Sequence, residues 1–491
     1  MASPPGISSR EVDALPTTTN DGHRSDPEKL VQIQGVLPLR QWVPSRYNAR
    51  TICDDGTLVL YNSYTGAFSG FPAASRKQVE VLLRQTGTTG RCEGLVKYLQ
   101  DRGFLVEKGA NELDRFRLAY GQMQYRSDKL ELILLASEEC NFRCVYCYET
   151  FPRGTMEPWV RSALKKMVSR RGPRLNSLKV SWFGGEPLLG YEAIEELAPI
   201  FKEVSAQHDI AYTSDITTNG YLLTPIVFEQ LLKWNVTAYQ ITVDGAPKDH
   251  DQKRVLVGGG HTFKQIYDNL LAMRSIAGKC HINIRINFDH DNLDSMPEFT
   301  EMFKSDFGGD SRFQLRFYAV GRWGGTNDDK LNVCGVGALS ATQALQVDSA
   351  EKGLNVESKM ELMQSGNGLG VCYAARPYNL LIGADGKIMK CTIDLDTKDY
   401  NIVGHITPDG RAEIDIEKFN RFVKPYFEDD TSCRKCFYLP VCQGASCPTV
   451  RIQADTRPCP PDKTHIGSSL ETLWKMKKQT STRSTITTSR T

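Results

Sequence analysis

From about residue 130 the chain alternates short apolar runs with amphipathic stretches. The runs Glu131–Ala136, Leu178–Phe183, Ala211–Thr217, Thr237–Val243, Ile282–Phe288 and Phe313–Ala319 predict strands. Helical periodicity fills most of the gaps, as at Pro158–Ser169 and Tyr191–Val204. Six strand–helix units in succession predict an α/β core with a parallel sheet, open or curled into a partial (β/α)6 TIM-like barrel. Ligands of such sheets bind at the carboxyl ends of the strands. After about residue 370 the periodicity stops, and Cys, Gly and Pro take over.

Residues 45–110 have a different pattern. Ala49–Cys53 and Leu58–Tyr61 flank Asp55-Gly56, a hairpin signal. Ser75 then caps a predicted helix with Val79, Leu82 and Leu83 on one face. A second helix carries Leu95, Val96 and Leu99, ends at Gly103, and is followed by a short strand, Phe104–Val106. Hairpin, helices and returning strand make a winged-helix-like pattern; a generic packing domain has the same elements. Residues 1–30, rich in Ser, Thr, Pro and Asp, predict a disordered arm, and 466–491 a disordered Ser/Thr-rich tail.

Lys plus Arg number 60 and Asp plus Glu 58, a net charge of +2. That balance argues against a large basic surface for nucleic acid. No apolar run is long enough for a membrane span, and residues 1–30 hold no signal-peptide core. The expectation is a cytoplasmic protein with no membrane or nucleic-acid partner. In a reducing compartment the 14 cysteines, which cluster, point to metal rather than disulfides.

The first cluster, Cys140-Asn-Phe-Arg-Cys144-Val-Tyr146-Cys147, follows the first core strand. Three thiolates at C-x3-C-x2-C can hold three irons of a [4Fe–4S] cluster and leave the fourth iron open. A zinc site with a distant fourth ligand fits the same spacing. Further motifs follow at successive strand ends: Gly184-Gly185-Glu186-Pro187, Thr217-Thr218-Asn219-Gly220, Asp244-Gly245 with Arg254 shortly after, and Arg285-Ile-Asn287. In this order they resemble the radical S-adenosylmethionine (SAM) enzymes over residues 125–330. The resemblance implies a cluster on Cys140, Cys144 and Cys147, with Tyr146 at the aromatic position. It also implies SAM contacts from Gly184, Gly185, Glu186, Pro187, Thr218, Asn219, Asp244, Arg254 and Asn287. Glu186 would hold the methionine ammonium and Arg254 the carboxylate. The glycines would bare the backbone so that the ligand can approach closely.

Seven more cysteines lie within 365–465: Cys372, Cys391, Cys433, Cys436, Cys442, Cys447 and Cys459. Their order resembles the SPASM extension of radical SAM peptide-modifying enzymes, although Cys442 and Cys447 are separated by four residues where the family has three. By position, Cys433, Cys436, Cys442 and Cys459 would hold one auxiliary [4Fe–4S] cluster. Cys372, Cys391 and Cys447 would hold three irons of another, for three clusters in all. Cys334 is a candidate fourth ligand, and a zinc ribbon is the alternative for the region.

The resemblance implies a maturase of ribosomally made peptides, related to anaerobic sulfatase-maturing enzymes. Such an enzyme abstracts a hydrogen atom through a 5′-deoxyadenosyl radical and oxidatively modifies the residue, by a cross-link or similar bond. Its partners would be a precursor peptide whose leader docks on the 45–110 module, and an electron donor such as flavodoxin or ferredoxin. Alternatives are a formylglycine-generating enzyme and a peptide epimerase. The sulfatase-maturing type has an Asp directly after its second SPASM cysteine, where this chain has Thr392, with Asp394 displaced.

Overall fold

The computed structural model describes residues 41–84, 93–357, 371–454 and 456–488. The arm expected at 1–30 lies outside the described residues. The chain enters through β1 (Trp42–Pro44), β2 (Asn48–Ile52), β3 (Leu58–Asn62) and β4 (Phe68–Phe71). Helices α1 (Ala73–Leu82) and α2 (Glu93–Asp101), strand β5 (Leu105–Glu107) and helix α3 (Glu112–Gln124) follow. Strands β2, β3 and β4 form an antiparallel sheet, and β5 pairs with β1. The hairpin falls where Asp55-Gly56 placed it: Gly56 has a φ of +78°, and the Asp55 carboxylate accepts from Thr57 N at 3.0 Å. Ser75 does not cap α1. The helix starts two residues earlier, and the Ser75 hydroxyl donates back to the Pro72 carbonyl at 3.2 Å.

Every residue of β3 is buried, which a half-exposed hairpin would not show. Leu58 and Leu60 pack against α1 and α2, with Val79, Leu82 and Leu99. Val59 and Tyr61 face the other way, against Tyr438, Val441, Leu470 and Leu473. Leu470 and Leu473 belong to a helix, Ile466–Thr488, where a disordered tail was expected. Leu470, Leu473 and Met476 recur every three residues and are buried, so they supply the apolar face that a Ser/Thr-rich composition hides. The Trp474 ring lies so close over Gly70 of β4 that a Cβ there would meet it at 2.2 Å.

The core follows the predicted alternation. Its strands and helices are β6 (Lys129–Ser137), β7 (Phe142–Cys144), α4 (Pro158–Arg171), β8 (Ser177–Gly184), α5 (Tyr191–Gln207), β9 (Ala211–Thr218), α6 (Pro225–Lys233), β10 (Val236–Thr242), α7 (Pro247–Lys253), β11 (Arg254–Leu256), α8 (Phe263–Ser275), β12 (His281–Phe288), α9 (Met296–Phe307), β13 (Phe313–Ala319) and α10 (Ala338–Glu351). Proline opens α4, α6 and α7, where its missing N–H would have had no helical partner. The six long parallel strands lie in the order β13-β12-β10-β9-β8-β6, so each neighbours the next in sequence. The sheet stays open between β6 and β13. On the β6 side it continues through strands the periodicity did not reveal: β14 (Asn379–Ile382), parallel to β6, then β15 (Lys387–Met389), β16 (Ile402–Ile406) and β17 (Ala412–Ile414), all antiparallel. At three to five residues each, they are too short to show a period. None of the helices described is long and apolar enough to cross a membrane.

Candidate active site

The carboxyl ends of the parallel strands surround a cavity with about 1030 Å3 of empty space, its open mouth included. Cys140, Cys144 and Cys147 line it from the loop after β6. Short strand β7 fixes that loop by pairing antiparallel with β11, with Cys144 opposite Arg254. Val145 N donates to the Lys253 carbonyl at 3.0 Å and extends the register. All three thiols are unpaired by disulfides. Burial pushes Cys140 and Cys147 up to about 12 and raises Cys144 as well, so metal loading would displace protons from the thiols. Among the described residues, no three His, Cys, Asp or Glu side chains gather closely enough to hold one ion. A cluster spreads its ligands over several irons, so three thiols facing one cavity fit it.

One hydroxyl ties four of the expected residues together. Tyr146 Oη donates to Asp244 Oδ2 and accepts from Arg254 Nη1 at 2.8 Å and Asn287 Nδ2 at 3.0 Å. Asp244 Oδ1 accepts from Asn287 N at 3.0 Å. Tyr146, Arg254 and Asn287 line the cavity; Asp244 is fully buried behind them and braces Tyr146. Arg254 is 6% exposed, and its Nε has no hydrogen-bond partner among the described residues. A buried, unsatisfied guanidinium N–H is costly, and a ligand carboxylate would satisfy it.

Glu186 and Pro187 also stand behind the wall. The Glu186 carboxylate is fully buried and accepts from Leu188 N at 3.0 Å, Thr218 Oγ1 at 2.7 Å and Asn219 N at 2.7 Å. Burial raises its carboxyl, against those three bonds. With both oxygens engaged by the chain, it holds the Thr218-Asn219 turn in place. Thr218, Asn219, Gly184 and Gly185 do line the cavity. The glycines are needed first for packing: a Cβ on Gly184, at a φ of +130°, would meet Ser137 O at 1.9 Å, and one on Gly185 would meet Glu139 O at 2.6 Å. Glu186→Gln turns one acceptor into a donor against two N–H groups and a hydroxyl. It should weaken SAM binding roughly tenfold, through about 1–3 kcal/mol of unsatisfied hydrogen bonding, as read by equilibrium dialysis. Unchanged affinity would separate this carboxylate from the cofactor wall.

The cavity lining also includes residues that the motifs did not name. Gln240 and Thr242 point inward from alternate positions of β10, and Tyr318 and Trp323 stand at β13 and just beyond it. The Arg285 guanidinium bonds Asn287 Oδ1 at 2.9 Å and lies 4.2 Å from the Tyr318 ring centroid. Glu149, two residues after Cys147, also lines the cavity, where burial, reinforced by Glu138, pushes its carboxyl up to about 8.

Cys433, Cys436, Cys442 and Cys459 line a second cavity of about 410 Å3. Cys372, Cys391 and Cys447 form a third group. Burial raises the Cys372 and Cys391 thiols, Cys391 to about 12, with Cys447 adding to the first and Cys372 to the second. Cys334 does not join them: it is buried in the main core, where the charges acting on it are those of Asp289 and Lys253. The N-terminal elements pack directly on the segment that bears Cys433, Cys436 and Cys442. Arg117 forks onto Glu428 at 2.8 and 2.7 Å, and Gln124 meets Gln443 at 3.2 Å. Tyr47, Phe116 and Tyr120 pack with Phe427 and Leu439.

Residues 134–303 match the Radical SAM superfamily, so the chain carries a radical SAM domain. Over 235 residues, 41% of the chain, it is 25% identical to the radical SAM cyclopropyl synthase TigE of Paramaledivibacter caminithermalis. Over 174 residues, 34% of the chain, it is 28% identical to a GTP 3′,8-cyclase of Clostridium botulinum. The chain spans about half the length of these curated relatives, 48% and 51%. Among solved structures, polyhistidine-tagged anSMEcpe with bound AdoMet matches 72% of this chain and 94% of its own, at a TM-score of 0.53 and 17% identity. Native anSMEcpe with bound AdoMet and the Cp18Cys peptide matches 72% and 97%, at 0.52 and 16%.

Proposed function

We propose that this protein removes a hydrogen atom from a residue of a peptide and oxidatively modifies it, by a cross-link or similar bond, in ribosomal peptide maturation. The observation that carries the reading is the lining of the main cavity. Three thiols, bare glycine backbone and Arg254 line it together with Gln240, Arg285, Tyr318 and Trp323. The thiols, the glycine backbone and Arg254 suit a [4Fe–4S] cluster and SAM, which together supply a 5′-deoxyadenosyl radical when bound. Tyr146 holds the cluster loop, Glu186 fixes the Thr218-Asn219 turn, and Arg254 orients a carboxylate. Gln240, Arg285, Tyr318 and Trp323 would position a second molecule and exclude water.

The peptide in the anSMEcpe structure supports a peptide substrate. Two auxiliary clusters, on Cys433, Cys436, Cys442 and Cys459 and on Cys372, Cys391 and Cys447, would accept the electron left after abstraction. A flavodoxin or ferredoxin would supply the reducing electron for SAM cleavage. The 45–110 elements, read as a winged-helix-like module, would capture the leader by adding it to a sheet edge. Where the sulfatase-maturing type has its Asp, Thr392 bonds the Tyr373 hydroxyl at 2.7 Å, and the displaced Asp394 carboxylate accepts from Tyr400 at 2.5 Å.

The test is anaerobic turnover of the reconstituted full chain with SAM, a reductant and a precursor peptide. The expected product is lighter by about two hydrogens, with one 5′-deoxyadenosine formed per event. A mass-neutral product carrying solvent deuterium at an α-carbon would instead show epimerisation.

A further inference from the structure

The four-thiol cavity has an unusual electrical lining. Arg451, Arg457 and Lys463 face it, and no carboxylate is among the described residues that line it. Asp430, just behind, pairs with Arg457 at 2.6 Å and stands 3.7 Å from Arg451, so one carboxylate serves two of the three cations. Two of these cations reach the sulfurs. Arg451 Nη2 donates to Cys433 Sγ at 3.5 Å, and Lys463 Nζ to Cys459 Sγ at 3.6 Å. The backbone N–H of Tyr438 adds a bond to Cys436 Sγ at 3.3 Å. Arg451 is fixed in this position by two further contacts. Its Nε bonds Gly444 O at 2.8 Å, and its guanidinium lies 4.9 Å from the Tyr426 ring centroid. A carboxylate acts on a thiol of each group, Asp430 on Cys433 and Asp394 on Cys391, and cations stand near both, Arg376 and Lys390 acting on Cys372.

We propose that Arg451 and Lys463 are positioning residues that hold the reduction potential of a cluster on Cys433, Cys436, Cys442 and Cys459 above the value the thiolates alone would give. The inference rests on the auxiliary-cluster reading above. Four thiolates leave a [4Fe–4S] cluster with net negative charge, and taking up one electron makes it more negative. Hydrogen bonds to sulfur and nearby positive charge stabilise that reduced state.

Redox titration of the reconstituted full chain, followed by electron paramagnetic resonance, tests this. The signal belonging to the site is the one lost, with about four irons, in the Cys433→Ser, Cys436→Ser double variant. Lys463→Met and Arg451→Met should each retain the wild-type iron content and shift the reduction equilibrium of that signal at least tenfold toward the oxidised form. For one electron that is about 59 mV. Lys463→Arg, which keeps charge and donor, should stay within about threefold of wild type. Because Arg451 also bonds Gly444 O, the Lys463 variants carry the test if Arg451→Met fails to fold. An unchanged midpoint at full iron content in Lys463→Met overturns the inference while leaving the cluster reading intact. Iron that does not fall in the double Cys→Ser variant overturns the cluster reading, and the inference with it.

Discussion

Replacing Cys140, Cys144 and Cys147 together by Ala should remove about four of about twelve irons per chain and abolish SAM cleavage. These three thiols line the main cavity, and they lie on a loop fixed from two sides. The β7–β11 pairing sets the register of Cys144, and the Tyr146 hydroxyl ties the loop to Asp244, Arg254 and Asn287. Removing the sulfurs leaves those restraints in place, so the variant should fold. Anaerobic iron analysis and chromatography of 5′-deoxyadenosine give the readout. SAM cleavage that survives the triple change would place the reactive cluster elsewhere.

A second large effect concerns stability. Lys253 Nζ lies 2.7 and 2.6 Å from the two oxygens of Asp289, and both side chains are buried. Removing one partner strands the other charge in the interior, which costs about 3–5 kcal/mol. Asp289→Ala should therefore lower the denaturant midpoint strongly. The double variant Lys253→Met, Asp289→Leu should recover most of the loss, because no charge is left behind. The Lys253 carbonyl also receives the N–H of Val145 in the cluster loop. Asp289→Ala should thus lower iron retention as well as stability. A loss below about 0.5 kcal/mol, the ordinary range for surface changes, would show that the pair is not buried in solution.

The parts of the molecule that the sequence reveals are those with a long period or a tight spacing. The six parallel strands were legible from their apolar positions: β6 is a nearly continuous buried run, whereas β8, β13 and the second half of β9 alternate buried and less buried residues. The three-thiol loop was legible because its cysteines lie within eight residues. Position on a strand end did not give orientation. Glu186 and Asp244 occupy motif positions, yet both turn inward to brace neighbours, and only the hydrogen bonds of Thr218, Asn219 and Tyr146 reveal it. Gln240 and Thr242 carried a signal of the same kind as Arg285-Ile-Asn287: they are polar residues two apart at the end of a strand, and so share a face. Strands β14 to β17 carry too few residues for any period. The C-terminal helix was hidden because the Ser/Thr run after Gln479 outweighed Leu470, Leu473 and Met476 just upstream.

The most direct test of the account is the fate of the substrate's hydrogen. In the turnover assay, a precursor peptide deuterated at carbon should pass deuterium to 5′-deoxyadenosine, giving product cofactor heavier by about one mass unit for each peptide modified. 5′-Deoxyadenosine that stays unlabelled while the deuterated peptide is converted would contradict hydrogen abstraction from the peptide.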